Sequence, residues 1–187
     1  MNTKTLGIFS ALIIVGIAGI LMVLLNKNDD GGFDIDYGAF NGIETATYEL
    51  KKGENPIFVD KNNRFSFEYP SEFSISQFGN LEEGETVLAQ RSSEKAGFQI
   101  FITEFDEPAE SLTVEKIRSE IPDIIIKDAQ PVNWHGKYIG VSFSGNNSLS
   151  ESTREIWIVD RGLLYQMTTY LNEQKLLKQV LETWKFL

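Results

Sequence analysis

Between residues 64 and 105 apolar and polar positions alternate with a period of two, the signature of half-buried strands. Phe65, Phe67 and Tyr69 share one face of a strand at 64–69, and Pro70 ends it because proline cannot donate to a ladder. Further strands are expected at 73–78, 86–91 and 98–105, the last two separated by Glu94, Lys95, Ala96 and Gly97. In the last of these, Phe98, Ile100 and Ile102 point one way and Phe101 and Phe105 the other. A strand apolar on both faces belongs in the middle of a sheet covered on both sides.

Beyond it the period changes. Val114, Ile117 and Ile121 repeat at helical spacing behind Ser111 or Thr113 as a cap, and Pro122 marks the end. Short strands are expected at 124–126 and 137–144 with His135-Gly136 as a turn between them, then a hairpin of 153–160 and 163–170 joined at Asp160-Arg161-Gly162. Asn172 can cap a final helix in which Leu176, Val180 and Trp184 stack beside Leu177 and Leu181.

The N-terminal pattern is different in kind, because residues 6–25 carry no charge and show no polar face. A helix of that length spans about 30 Å, the thickness of a bilayer's hydrocarbon core, so one transmembrane anchor is expected. A cleaved secretory signal is the alternative. It fits less well, since the run continues past Ala18 and Gly19 to Leu25 with no small-x-small site at its end. Lys4 and the α-amino group lie on one side while Asp29 and Asp30 follow Lys27 on the other, which places residues 1–5 in the cytoplasm and the remainder outside.

Residues 26–55 are rich in Gly and Asp and read as an acidic tether, with one folded domain at 56–187. Asn26, Asn28, Asp30, Gly31 and Asp34 fall at positions 1, 3, 5, 6 and 9 of a calcium loop, but Tyr37 stands where the bidentate Glu is required. A calcium-responsive tether is therefore the weaker reading, and no metal site is assigned.

Net charge is −10, and residues 1–25 contribute only Lys4, so the part outside the bilayer is more acidic still. Nucleic-acid binding is excluded by that balance, since phosphate backbones require Lys and Arg clusters. The absence of cysteine excludes disulfides, thiolate metal sites and cysteine nucleophiles.

From Phe58 onward the order of features resembles the PsbP-like family. Phe58-Val59-Asp60, then Phe65-Ser66-Phe67-Glu68-Tyr69-Pro70 and Phe73, is similar to the family's opening, with Phe73 where Trp is usual. Gly162, Leu163, Leu164 and Tyr165 in the hairpin, and Trp184-Lys185-Phe186 at the end, are similar to its closing elements. The resemblance implies an α+β fold: an antiparallel sheet of about seven strands between helices, a three-layer α/β/α sandwich. It also implies a binding or assembly module that contacts a protein or envelope partner and not a catalyst, with no cofactor.

Candidate chemistry is sparse. His135 is the lone imidazole, and Gly140-Val141-Ser142-Phe143-Ser144 comes within one residue of a nucleophile elbow, which makes a small envelope hydrolase the alternative function. Glu104, Asp106, Glu107 and Glu110 form an acidic cluster expected to be a solvated loop. Asn146-Asn147-Ser148 fits a glycosylation acceptor, and Trp134, Trp157 and Trp184 read as core or half-buried packing residues. No catalytic, cofactor or metal residue is assigned. Partner contact is expected at the loops 80–84 and 145–151.

Overall fold

The structure, a computed structural model, describes residues 33–34, 54–91, 96–146 and 151–187. The expected membrane span at 6–25 lies outside them, as does all of the expected tether except 33–34 and 54–55. Among the described residues no helix is long and apolar enough to cross a membrane.

Seven antiparallel strands form the main sheet. In spatial order they are β7 (Lys127–Trp134), β8 (Lys137–Asn146), β9 (Ser152–Asp160), β10 (Leu163–Tyr170), β6 (Gly97–Glu104), β5 (Gly84–Gln90) and β4 (Ser74–Asn80). Two residues far upstream, Phe33–Asp34 (β1), pair along the outer edge of β7, with Phe33 opposite Trp134 and Asp34 opposite Asn133. Strand β6 lies between β10 and β5, the interior position that its apolar faces predict.

Each face of the sheet has its own core. On one, Val87, Ala89, Phe98, Ile100, Ile102, Ile156, Ile158 and Met167 meet Leu176, Leu177, Val180 and Leu181 of α2 (Gln174–Thr183). A small second sheet, with β3 (Phe65–Glu68) between β11 (Lys185–Phe186) and β2 (Ile57–Val59), shares that layer. Phe65 stacks on Trp184 with ring centroids 4.4 Å apart and planes 5° from parallel, and Phe67 meets Phe98 edge-on at 5.6 Å. On the other face Val141, Phe143, Trp157, Val159 and Leu164 are covered by Phe105, Leu112 and Ile117, the last from α1 (Val114–Glu120). Among the described residues the fold is α+β with a seven-strand sheet and two α-helices on opposite faces.

Three expectations are corrected. No strand covers 124–126; the strand begins at Lys127 and runs to Trp134. Residues 171–173 form a 3-10 turn that leads into α2, so Glu173 and not Asn172 is the N-cap, and its side chain makes no capping bond to the helix. Trp184 follows α2 as its C-cap in an extended conformation, and from there it reaches Phe65. Thr113 caps α1 as expected, its hydroxyl accepting from Lys116 N–H.

Candidate functional site

Two hairpins end in the same local chemistry. His135 and Gly136 have φ of 49° and 75°, and Arg161 and Gly162 have 48° and 77°. Successive positive φ values are those of a type I′ turn, whose twist matches that of paired strands. Register brings these turns to one end of the sheet. Trp134 pairs with Lys137, Gly140 with Ile158, and Leu163 with both Asp160 and Glu104. There the C-terminal strand crosses, held by Leu187 N–H donating to Arg64 O (3.0 Å) and by the Arg161 guanidinium donating to Leu187 O.

Between these elements lies a solvent-open groove of about 550 Å³, lined by Trp134, His135, Asp160, Arg161, Glu182, Thr183 and residues 184–187. Its wall is aromatic. Trp134 meets Phe186 edge-on at 5.6 Å and His135 at 4.9 Å, and Phe186 meets Trp184 at 5.8 Å. Charge sits around the rim. The Arg161 side chain is 64% exposed and lies 3.6 Å from the Asp160 carboxylate. Burial pushes the Asp160 carboxyl above its ordinary range, against the opposing pull of Arg161 and Lys137. Beneath the groove, burial raises the Tyr165 hydroxyl to about 12, so it stays protonated.

A second polar constellation is buried beside the groove's floor. Asp60 Oδ2 accepts from Arg64 Nε (2.7 Å), Arg64 N–H (3.1 Å) and Asn62 N–H (3.0 Å), while Oδ1 accepts from Arg64 (2.6 Å) and Gln77 (2.5 Å). Arg64 also donates to Glu85 Oε2 at 2.9 Å, and Lys61 lies 2.9 Å from Glu85 Oε1. These groups tie the turn before β3 to the outer strands of the main sheet. Most of their hydrogen-bonding capacity is spent on one another, Arg64 Nη1 being the buried atom left over, and the set ties elements together in an architectural role.

The remaining candidates do not converge. Ser142 is buried in the middle of β8 opposite Ile156, and five strand steps from Lys137, about 17 Å at the usual rise, separate it from the turn that carries His135. The elbow-like segment is a continuous strand, as its alternation predicts. In the acidic cluster Glu107 bonds Lys116 at 2.6 Å, which together with Ser111 holds its carboxyl below the usual range, while Glu104, Asp106 and Glu110 are exposed. Among the described residues no group of three or more His, Asp or Glu is placed to hold a metal.

Trp157 and Trp184 are buried and Trp134 is half-buried. Of the two loops expected to make contact, 80–84 is a tight turn closed by Glu83 N–H donating to Asn80 Oδ1 at 3.0 Å. The other is shortened, because β8 continues through Asn146, and residues 147–150 lie outside the described residues together with most of the glycosylation triplet. The groove residues Arg161, Lys185 and Phe186 were not legible as a site. Only the repetition of a polar residue followed by Gly in two hairpin turns signals them.

No family model and no curated protein matches the chain. Among solved structures it is similar to a Bacteroides thetaiotaomicron protein at 12% identity and a TM-score of 0.45, the match covering 71% of this chain and 48% of that one. This chain thus spans about half the length of that protein. It is also similar to cyanobacterial PsbP (CyanoP) from a Synechocystis species, at 12% identity and a TM-score of 0.53, over 71% of this chain and 92% of that one. With its strand order, its two helices and that likeness together, the described domain has a PsbP-like fold.

Proposed function

We propose that this chain is a single-pass membrane protein whose PsbP-like domain stands outside the membrane as a non-catalytic binding or assembly module. The uncharged run at 6–25 supports the anchor, and Lys4 against Asp29 and Asp30 supports the orientation. The observation that carries the binding role is the groove. It is open, walled by aromatic rings, and rimmed by both signs of charge on two short turns whose backbone is fixed. Rigid aromatic surface with polar edges is the composition of contact sites, since it offers area at little entropy cost. The partner in this reading is a protein or another envelope component.

The test is site-specific photo-crosslinking in intact cells. A photoreactive residue at Lys185, on the groove, should give discrete adducts, while one at Ser152, at the opposite end of the sheet, should not. Adducts of equal yield from both positions would remove the groove from the reading. Turnover of an envelope substrate that disappears on Ser142→Ala in a folded protein would replace it with the hydrolase.

A further inference from the structure

The register of β1 fixes the end of the sheet at which the chain enters. Phe33 pairs with Trp134 and Asp34 with Asn133, so β1 runs away from the His135-Gly136 turn and the chain enters the sheet at the groove. Only residues 26–32 lie between the end of the uncharged run and Phe33. Whatever their path, eight backbone steps reach no further than about 30 Å. Resting on the anchored reading above, we propose that the groove corner is turned to the domain's own membrane. There Lys137, Arg161 and Lys185 take lipid phosphates, and Trp134 and Phe186 lie at headgroup level.

Charge placement agrees with that orientation in a chain that is otherwise strongly acidic. Lys137 and Lys185 are exposed and form no ion pair among the described residues, and Arg161 is mostly exposed. Of the acids on the same corner, Asp160 faces Arg161 and Glu182 is bridged to Lys178. Glu82, Glu83, Glu104 and Asp106 stand at the same sheet end but on the β4 to β6 side. An anionic surface attracts the first set and repels the second, which tilts the domain onto the groove corner within a screening length of about 8 to 10 Å. Trp and cationic side chains are the groups that settle at the interface between headgroups and water. The short connection supplies a high local concentration, so individually weak contacts suffice.

The chain has no cysteine, so single labelling sites can be introduced at will. The full chain carrying a fluorophore at His135→Cys or at Ser152→Cys is reconstituted into phosphatidylcholine vesicles, with or without phosphatidylglycerol, that contain headgroup-quencher lipid. The expected result is several-fold stronger quenching at position 135 than at 152, enhanced by phosphatidylglycerol. The triple variant Lys137→Glu, Arg161→Glu, Lys185→Glu, all at exposed positions, should bring the two signals together. Equal quenching at both positions, or quenching indifferent to the triple variant and to lipid charge, overturns the proposal. If the chain does not float with the vesicles, the anchor falls and this orientation with it. If it floats but position 135 stays unquenched, the orientation alone is wrong.

Discussion

Two carboxyls on opposite faces of the sheet, Asp60 buried and Glu155 half-buried, are shifted in opposite directions by their surroundings. At Asp60 burial pushes upward, but hydrogen bonds from the Arg64 guanidinium, Gln77 and the Arg64 N–H outweigh it and leave the carboxyl below its ordinary 3.8. The stability it contributes is present above 3.8 and is lost as pH falls through the lowered folded value. At Glu155 burial wins. Its Oε2 accepts from Thr168 Oγ1 (2.7 Å) and Trp157 Nε1 (3.3 Å), no cation among the described residues pairs with it, and its carboxyl is raised above 4.5. The folded protein therefore favours the protonated form, and that contribution is greatest below 4.5 and is lost as pH rises through the raised value. Glu155→Gln keeps an acceptor for Thr168 and removes the charge. It should raise the thermal midpoint at pH 7, by roughly 2 to 4 °C for each kcal/mol recovered, and flatten the midpoint's dependence on pH above 4.5. Asp60→Asn should do the reverse, costing about 3 kcal/mol in urea unfolding because Arg64 is left buried with half its partners gone.

Two glycines, one in a turn and one in a strand, separate conformational from steric cost at the level of elements. Gly162 has φ of 77°, and a Cβ there would meet nothing closer than Phe105 O at 4.0 Å. Gly162→Ala should therefore cost only the left-handed backbone, about 1 to 2 kcal/mol, with the hairpin retained. At Gly140 a Cβ would lie 1.9 Å from Trp157 O across the β8–β9 ladder. Gly140→Ala should lose more than about 4 kcal/mol and yield little folded protein; unfolding curves of the two variants compared side by side check both. Legibility followed a similar division. Strands β6, β9 and β10 could be read because their apolar residues face cores, and Asp160-Arg161-Gly162 announced its hairpin. Strand β7 could not, since of Lys127–Trp134 only Val132 is buried, Pro131 interrupts the donors, and its pairing with β8 shifts register twice. An edge strand with bulges and polar faces carries no period to detect. The start of α2 was misplaced for a related reason: Asn172 has the chemistry of a cap, but a 3-10 turn moves the first helical residue past it.

For the molecule as a whole, the groove was illegible because its parts are far apart in sequence and only register unites them. Trp134, Arg161 and Phe186 come from three elements. Register also separates the cores from the upstream strand β1. Among the described residues both core clusters are built from residues at or after Phe58, and Tyr69 N–H donating to Pro56 O at 3.1 Å extends the β2–β3 pairing by one step. A fragment of residues 54–187 should consequently fold alone and unfold in a single transition by circular dichroism and tryptophan fluorescence. What it loses is the backbone pairing of β1, which leaves Asn133 and Trp134 on an open edge. That edge is short, bulged and interrupted by Pro131, features that oppose pairing with another copy, so the fragment should also be monomeric by light scattering. A fragment of residues 33–187 should then melt within a few degrees of it. Aggregation of the shorter fragment, relieved in the longer one, would show that β1 is needed to cover β7 and that the sheet is complete only with that strand in place.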